Sequence, residues 1–525
     1  MRENREVPWS PVPLMVGAGR EGNADGGNPL MHDRGKSDGP VVPTKLPNIA
    51  ALAVAEVVEG RGPAEGNVAS ETRPGRRAGV SVSSELGRVR QVARQDKDAR
   101  FTALLHHVSV DRLRAAYRAI SPNAAPGVDG VTWREYGLDL EDNLRDLHAR
   151  VHRGAYRAKP SRRVFIPKAD GRQRPLGVAS LEDKIVQRAV AEVLNAVYEE
   201  DFLGFSYGFR PGRSPHDALD ALSAGIQRRR VNWVLDADIR GFFDTIDHGW
   251  LLRFLEHRIA DNRILRLIRK WLGAGVIEDG TWAQCDEGTP QGASISTLLA
   301  NVYLHYVFDL WVHQWRRRRA SGHMVVTRFA DDFVVGFEFR REARWVLADL
   351  RERFAKFGLD LHPEKTRLIE FGRFAADRRR MRGRKPETFE FLGFTHICAK
   401  TRDGRFKLAR ITSKKRMRAK LREIKVELRR RRHLPIPEQG RWLASVVRGH
   451  LAYYAVPDNA LTIRAFRARV IWHWRKALRH RSQRSNLTWK RMFRIANRWL
   501  PFARTLHPRP SVRFDARTQG RSPVR

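Results

Sequence analysis

Residues 325–337 read VVTRFADDFVVGF, two runs of β-favouring apolar residues on either side of Asp331 and Asp332. Val, Thr and Phe suit a pleated, half-buried surface, so each flank predicts a strand and the pair predicts a hairpin with acids at its turn. Adjacent aspartates have a bland explanation, because Asp tolerates turns and two of them could simply cap an exposed hairpin. A second apolar run, VLDADI (234–239), also ends in carboxylates, Asp236 and Asp238. Two strands that each deliver acids at their ends can lie side by side and form a cluster suited to hard divalent cations such as Mg²⁺, which take oxygen ligands. Two such ions about 3.5 to 4 Å apart would serve both oxygens of an in-line phosphoryl displacement. Without metal the cluster repels itself, so a site explains it better than a structural role does.

Outward from this hairpin the pattern alternates. RRVFIPKADGRQRPLG (162–177) has β-branched residues around an Asp-Gly turn and predicts a basic-tipped hairpin. LEDKIVQRAVAEVLNAVYEEDF (181–202) predicts a long helix, and TPQGASISTLLANVYLHYVFDLWV (289–312) a Pro-Gly loop opening another. A helix over REARWVLADLRERFAKFG (341–358) precedes short strands at TRLIEFG (366–372) and TFEFLGFTHI (388–397). Strands and helices interleave in an order that favours antiparallel pairing, which predicts an α+β fold. After about residue 404 strand signals stop. Met417, Leu421, Ile424 and Leu428 then share one helical face, and Phe466, Val470, Trp474 and Leu478 another, which predicts a separate all-α region. Residues 1–85, rich in Gly, Pro, Asn and Ser, predict a flexible extension in which only IAALAVAEVVEG is periodic.

Charge narrows the partners. The chain has 99 Lys and Arg against 58 Asp and Glu, and residues 401–525 alone hold 35 basic and 6 acidic residues. Such an excess points to a polyanion, and its interleaving with Trp, Tyr and Phe across several helices favours nucleic acid over a membrane surface. Cys285 and Cys398 are too few for a disulfide framework or a four-cysteine zinc site. With no long apolar run, the composition predicts a soluble intracellular protein and no membrane partner.

The blocks GVDGVT (127–132), IPKADGRQRPLG (166–177), SYGFRPGRSPHDAL (206–219), DADIRGFFDTIDH (236–248), GTPQGASISTLLANVYL (288–304), FADD (329–332), LHPEKT (361–366) and FLGFTH (391–396) occur in the order found in group II intron-encoded reverse transcriptases. FADD resembles the YADD form of the polymerase box, with Phe329 in place of Tyr. RWLASVVRGHLAYYAVPDN (441–459) and LPFARTLHPRPSVRF (500–514) resemble the maturase, or X, domain of the same family. The resemblance implies a right-hand polymerase, with fingers over 86–235 and a palm with an antiparallel sheet over 236–404, followed by an all-α thumb and maturase domain over 405–515 and a tail over 516–525.

Carried over by position, the resemblance makes Asp238, Asp331 and Asp332 the catalytic and metal-binding acids, holding two Mg²⁺ ions with Mn²⁺ as a substitute. It places Lys168, Arg174, Phe243, Gln291 and Lys365 around the incoming dNTP, with Phe243 as the ring that excludes a ribose 2′-OH; taken alone, Phe243 reads rather as a core aromatic. Asp236, Asp244 and Asp247 read as supporting or structural acids. For RNA binding, Arg448, Tyr453, Tyr454, Arg467, Arg469, Trp472, Arg475 and Lys476 combine charge with planar surfaces; Trp474, on the apolar stripe, reads as core. The implied partners are group II intron RNA, an RNA template with a DNA primer, dNTPs and a DNA target site. The family often carries a C-terminal HNH endonuclease. Only about ten residues follow the last block, so none is expected, and primers would come from elsewhere, such as nascent strands at replication forks. Two rivals remain open at this level: a splicing cofactor with a dead polymerase site, and a retron or defence reverse transcriptase, against which the maturase-like region speaks.

Overall fold

A computed structural model describes residues 78–167, 173–278, 281–283, 287–289, 292–481 and 486–518. The extension expected over 1–85 lies outside them as far as residue 77 and the periodic stretch with it, while α1 (Ala78–Gln95) already begins at 78. Helices α2 (Val110–Arg118), α3 (Trp133–Tyr136) and α4 (Leu140–His152) lead into the hairpin of β1 (Ser161–Pro167) and β2 (Gln173–Val178). Next come α5 (Leu181–Asp201) and α6 (Pro215–Arg228). Both start where the sequence supplies a cap: Ser180 accepts from the Asp183 amide, and Ser214 and Asp217 form a reciprocal capping box ahead of Pro215. With no Gly or Pro inside it and apolar residues nearly all round, α5 runs through the core.

The chain continues through β3 (Trp233–Asp238), α7 (His248–Glu256), α8 (Asn262–Leu272), β4 (Val276–Glu278), β5 (Thr281–Ala283) and α9 (Ser296–Leu304). A π-turn, His305–Asp309, joins α9 to α10 (Leu310–Arg318). The hairpin of β6 (Met324–Phe329) and β7 (Asp332–Phe337), α11 (Arg340–Ala355), β8 (Arg367–Glu370) and α12 (Arg373–Met381) follow. The central sheet has the order β6-β7-β3-β8, antiparallel throughout. Alternate residues of its strands enter different cores. Leu235, Ala237, Phe333 and Val335 join the main core, whereas Val234 and Val334 join a second one with α6. Burial on both faces explains why the flanks of the opening hairpin are continuously apolar rather than alternating.

Strands β4 and β5 do not join the central sheet. They extend the first hairpin into the order β2-β1-β4-β5, with β1 and β4 parallel, so the boundary read at 235/236 separates strands that share a sheet. A third sheet, β11-β10-β9, contains β9 (Phe389–Phe391), β10 (Phe394–Lys400) and β11 (Phe406–Thr412). Strand β11 corrects the reading that strands end at 404. Its inward positions include Arg410, a charge that hides the alternation in the sequence and that the structure buries because Asp220 on α6 accepts from it at 2.9 Å.

The helical region comprises α13 (Lys414–Arg430), α14 (Ile436–Tyr454), α15 (Ala460–Arg479) and α16 (Trp489–Trp499). Its core is built from both predicted faces: Leu421, Ile424 and Leu428, and Phe466, Val470, Trp474 and Leu478. The Trp474 indole donates to Gln439 Oε1 at 2.9 Å, and the Gln439 amide donates to the Arg431 carbonyl at 2.6 Å, closing the end of α13. Helix α17 (Pro510–Thr518) then returns to α6 through the ion pairs Arg513–Asp220, Arg517–Asp217 and Arg228–Asp515. Among the described residues no helix is long and apolar enough to cross a membrane.

Candidate active site

Antiparallel register sets Asp238 of β3 directly opposite Asp332 of β7. Because side chains alternate along a strand, Asp236, Asp238 and Asp332 face the same side of the sheet as Val234 and Val334. Like charges directly across two strands are destabilising, so the arrangement costs stability unless positive charge compensates it. Two basic side chains do so. Lys365 Nζ pairs with Asp238 Oδ2, and Arg367 donates to Asp236 Oδ2 at 3.1 Å. Burial raises the Asp332 carboxyl well above its ordinary range, and the charges of Asp236, Asp331 and Asp238 add to it. Burial likewise pushes Asp236 up to about 6, against the opposing pull of Arg367. Asp331 occupies the turn after Ala330, whose φ of +57° lies in the left-handed region.

Beside this cluster the segment 287–289 docks on the short turn that carries Phe243. The Thr289 amide donates to the Phe243 carbonyl at 2.7 Å. Gly288, with φ +82°, lies so close that a Cβ would stand 2.8 Å from the same oxygen, which is why glycine is needed there. Phe243 is 8% exposed and packs edge-on to Phe242 in the main core. The ring expected beside the sugar is therefore mostly enclosed, as a core aromatic is.

The structure thus brings Asp238, Asp332, Asp331 and Lys365 together. Lys168 and Gln291 lie outside the described residues, and Arg174 is placed by its backbone in β2, opposite Ile166. Three carboxylates at one sheet end form a donor set of the chemistry that hard divalent ions take. As placed, however, no group of three or more His, Cys, Asp or Glu among the described residues converges on a single ion position, and the Lys365 ammonium takes one Asp238 oxygen. The residues fit a divalent ion by type and charge, with Lys365 as the group that would have to give way.

On the helical region the expected RNA residues divide. Arg448, Arg469, Trp472 and Lys476 are exposed, and the Lys476 ammonium lies 5.5 Å from the centre of the Trp472 ring. Arg467 and Arg475 are partly committed: Arg467 donates to the Pro501 carbonyl at 2.9 Å, and Arg475 donates to the Leu487 carbonyl at 3.0 Å while lying over Trp489. Tyr453 and Tyr454 are corrections to the expectation of an open stacking surface. The Tyr453 hydroxyl donates to the Leu392 carbonyl at 2.9 Å and its ring stacks on Phe394, while Tyr454 packs against both the second core and the helical core. They join the two regions, because α14 ends against the β9–β10 turn. Sequence reading missed Arg367, the counter-charge of Asp236, and a buried knot around Arg328 and Asp309. A lone Arg inside the apolar run VVTRF was the available signal for the knot.

A family model described as reverse transcriptase (RNA-dependent DNA polymerase) matches residues 166–396, from β1 into β10. The chain is 40% identical over 192 residues to Protein YkfC of Escherichia coli K12, a match covering 36% of this chain and 50% of that protein. It is 34% identical over 222 residues to the group II intron-encoded protein LtrA of Lactococcus lactis subsp. cremoris, covering 42% of this chain and 37% of LtrA. Nuclear intron maturase 4, mitochondrial, of Arabidopsis thaliana is 26% identical over 255 residues, covering 48% of this chain and 30% of that protein. The chain thus spans half or less of the length of these relatives. By these matches it carries a reverse transcriptase domain in residues 166–396 and is related to group II intron-encoded proteins and intron maturases.

Proposed function

We propose that the chain is an RNA-directed DNA polymerase and splicing maturase that binds its group II intron RNA, promotes splicing and copies the intron into DNA during retrohoming. The observation that carries the polymerase reading is the register pairing of Asp238 with Asp332, with Asp331 in the adjoining turn. In this reading the first sheet and its helices are the fingers, the central sheet is the palm, and α13 to α16 are the thumb and maturase domain of a right-hand polymerase.

Asp238, Asp331 and Asp332 would hold two Mg²⁺ ions, or Mn²⁺ in their place. When bound, such ions supply positive charge to the attacking 3′-oxygen and to the leaving pyrophosphate. The chain's own residues do the rest. The rigid strands hold the carboxylates at one height, and Lys365, freed from Asp238, would offer its ammonium to the triphosphate. Lys168 and Arg174 would grip phosphate oxygens from the basic hairpin, Arg by a planar fork and Lys as a point charge. Gln291 and Phe243 would border the nascent base pair and its sugar. On the helical region Arg448, Arg469, Trp472 and Lys476 offer charge and a stacking ring to RNA backbone and unstacked bases.

Primer extension on an RNA template with an annealed DNA primer, dNTPs and Mg²⁺ tests the polymerase reading: the parent should extend and Asp331→Ala should not. Splicing of the cognate intron RNA at low Mg²⁺ tests the maturase reading, and both proteins should promote it equally. A parent that extends no primer yet promotes splicing would leave only the maturase half standing.

A further inference from the structure

Beneath the turn that carries Asp331 and Asp332 lies a polar knot closed to solvent. The side chains of Arg328 on β6 and Asp309, the last residue of the π-turn, are each 0% exposed. The guanidinium donates from Nε to Asp309 Oδ1 at 2.7 Å and from Nη2 to Oδ2 at 2.5 Å. Its Nη1 donates to Asn301 Oδ1 and to the Ala330 carbonyl, each at 3.0 Å. Asn301, on α9, donates in turn to the Gly208 carbonyl at 2.7 Å. Gly208 presses against the turn so closely that a Cβ on it would collide with the Ala330 amide.

Ala330 has φ +57°, a conformation in which an L-residue crowds its own Cβ. Such a residue persists only where its surroundings over-determine it. Here one guanidinium ties four pieces together: its own strand, the π-turn, α9 and the carbonyl of the strained residue. Single π-turns inside helices recur at functional sites, and this one aims Asp309 inward. A lysine could not replace the arginine, because an ammonium has no planar fork to meet both Asp309 oxygens and reach two further acceptors.

The geometry points to Arg328, fixed by Asp309 and Asn301, as the positioning residue of the acidic turn: it locks Ala330 left-handed and thereby aims the Asp331 and Asp332 carboxylates. The inference rests on the reading of those two acids as metal ligands. Arg328 itself touches neither substrate nor metal and acts only through the turn.

The test uses the full chain and two variants. Asn301→Ala removes one anchor of the fork, and Arg328→Met with Asp309→Leu replaces the whole ion pair with apolar side chains instead of stranding one charge. Asp331→Ala serves as the reference. Three quantities are measured: hydrogen exchange of the amides 329–333, Mn²⁺ affinity by electron paramagnetic resonance, and primer extension. In both variants exchange at 329–333 should quicken about tenfold or more, Mn²⁺ binding should weaken about tenfold, and kcat should fall by about 10- to 100-fold with the dNTP KM within about twofold. The proposal is overturned if both variants exchange and bind Mn²⁺ as the parent does while Asp331→Ala has lost Mn²⁺ binding; the metal-site reading then survives without it. If Asp331→Ala binds Mn²⁺ like the parent, the metal-site reading fails and takes this inference with it. Should the double variant not fold, Asn301→Ala decides the matter by the same criteria.

Discussion

At one end of the central sheet Asp236, Asp238 and Asp332 share a face, with Asp238 directly across from Asp332, whereas on α15 Arg469, Trp472 and Lys476 ride an exposed face whose reverse carries Phe466, Val470 and Trp474. Both regions concentrate one sign of charge, with opposite physical consequences. The acids are held on strands buried on both faces, so they cannot spread apart, and burial with mutual repulsion raises the Asp332 carboxyl. The basic side chains stand in water, where repulsion is screened within about 10 Å and costs little. A crowded, half-buried acid cluster needs a small cation close by. A spread basic face needs a long polyanion. At the sheet end the crowding of charge works against stability, whereas on the helix it hardly touches it.

The strongest predicted loss tests that crowding directly. Asp332→Asn keeps the side-chain shape and removes an ionisable carboxyl from the cluster. Primer extension should fall by about 10³- to 10⁴-fold, several kcal/mol of lost transition-state stabilisation. The melting temperature at neutral pH should nevertheless rise, because an amide is free of the stability cost that burial and the neighbouring Asp236 and Asp238 impose on this carboxyl above its unfolded pKa; a fall in both would break the contrast. The next effect belongs to the reverse of α15. Trp474→Ala should cost about 3–5 kcal/mol in chemical denaturation, because it leaves a cavity and removes the partner of Gln439. A change of that kind should reduce extension and splicing together.

A third prediction concerns pH. His450 on α14 stacks on Phe466 with ring centres 3.6 Å apart, and burial, with the Lys420 cation adding to it, pushes its imidazole down to about 3. The folded protein therefore keeps this ring neutral where the unfolded chain takes up a proton, so stability is lost as pH falls from about 6.5 toward 3. His450→Phe should remove about 2 kcal/mol of the stability difference between pH 7 and pH 5, read by denaturation at the two values. The smallest effect is on the exposed face. Trp472→Ala with Lys476→Ala should weaken single-stranded RNA binding about tenfold and lower the salt slope by about 0.7, as expected when one fewer phosphate is neutralised, with an unchanged melting temperature. If melting moved as much as binding, the face would be structural and the contrast with the sheet end would close.

How much was legible in the sequence differs between these regions for the same reason. The apolar flanks of FADD, the helix over 181–202 and the stripe through Trp474 all depend on residues near one another in the chain, and each stands where local pattern put it. Strand β11 escaped because its inward Arg410 reads as polar until Asp220, 190 positions earlier, is seen opposite it. Tyr453 and Tyr454 read as a stacking surface because aromatics beside arginines look alike whether a neighbour covers them or not. The neighbour is the β9–β10 turn with Phe394, and only the fold brings it there.

The chemical type proposed for the site is readable from two short segments, because they carry both the acids and the apolar runs that mount them. Tertiary structure alone decided the register that sets Asp238 against Asp332, the counter-charges from Lys365 and Arg367, and the Arg328 knot under the turn. Register and buried ion pairs depend on which surfaces meet across long stretches of chain. Burial then fixes how strongly charges act on one another, and no single segment carries that information.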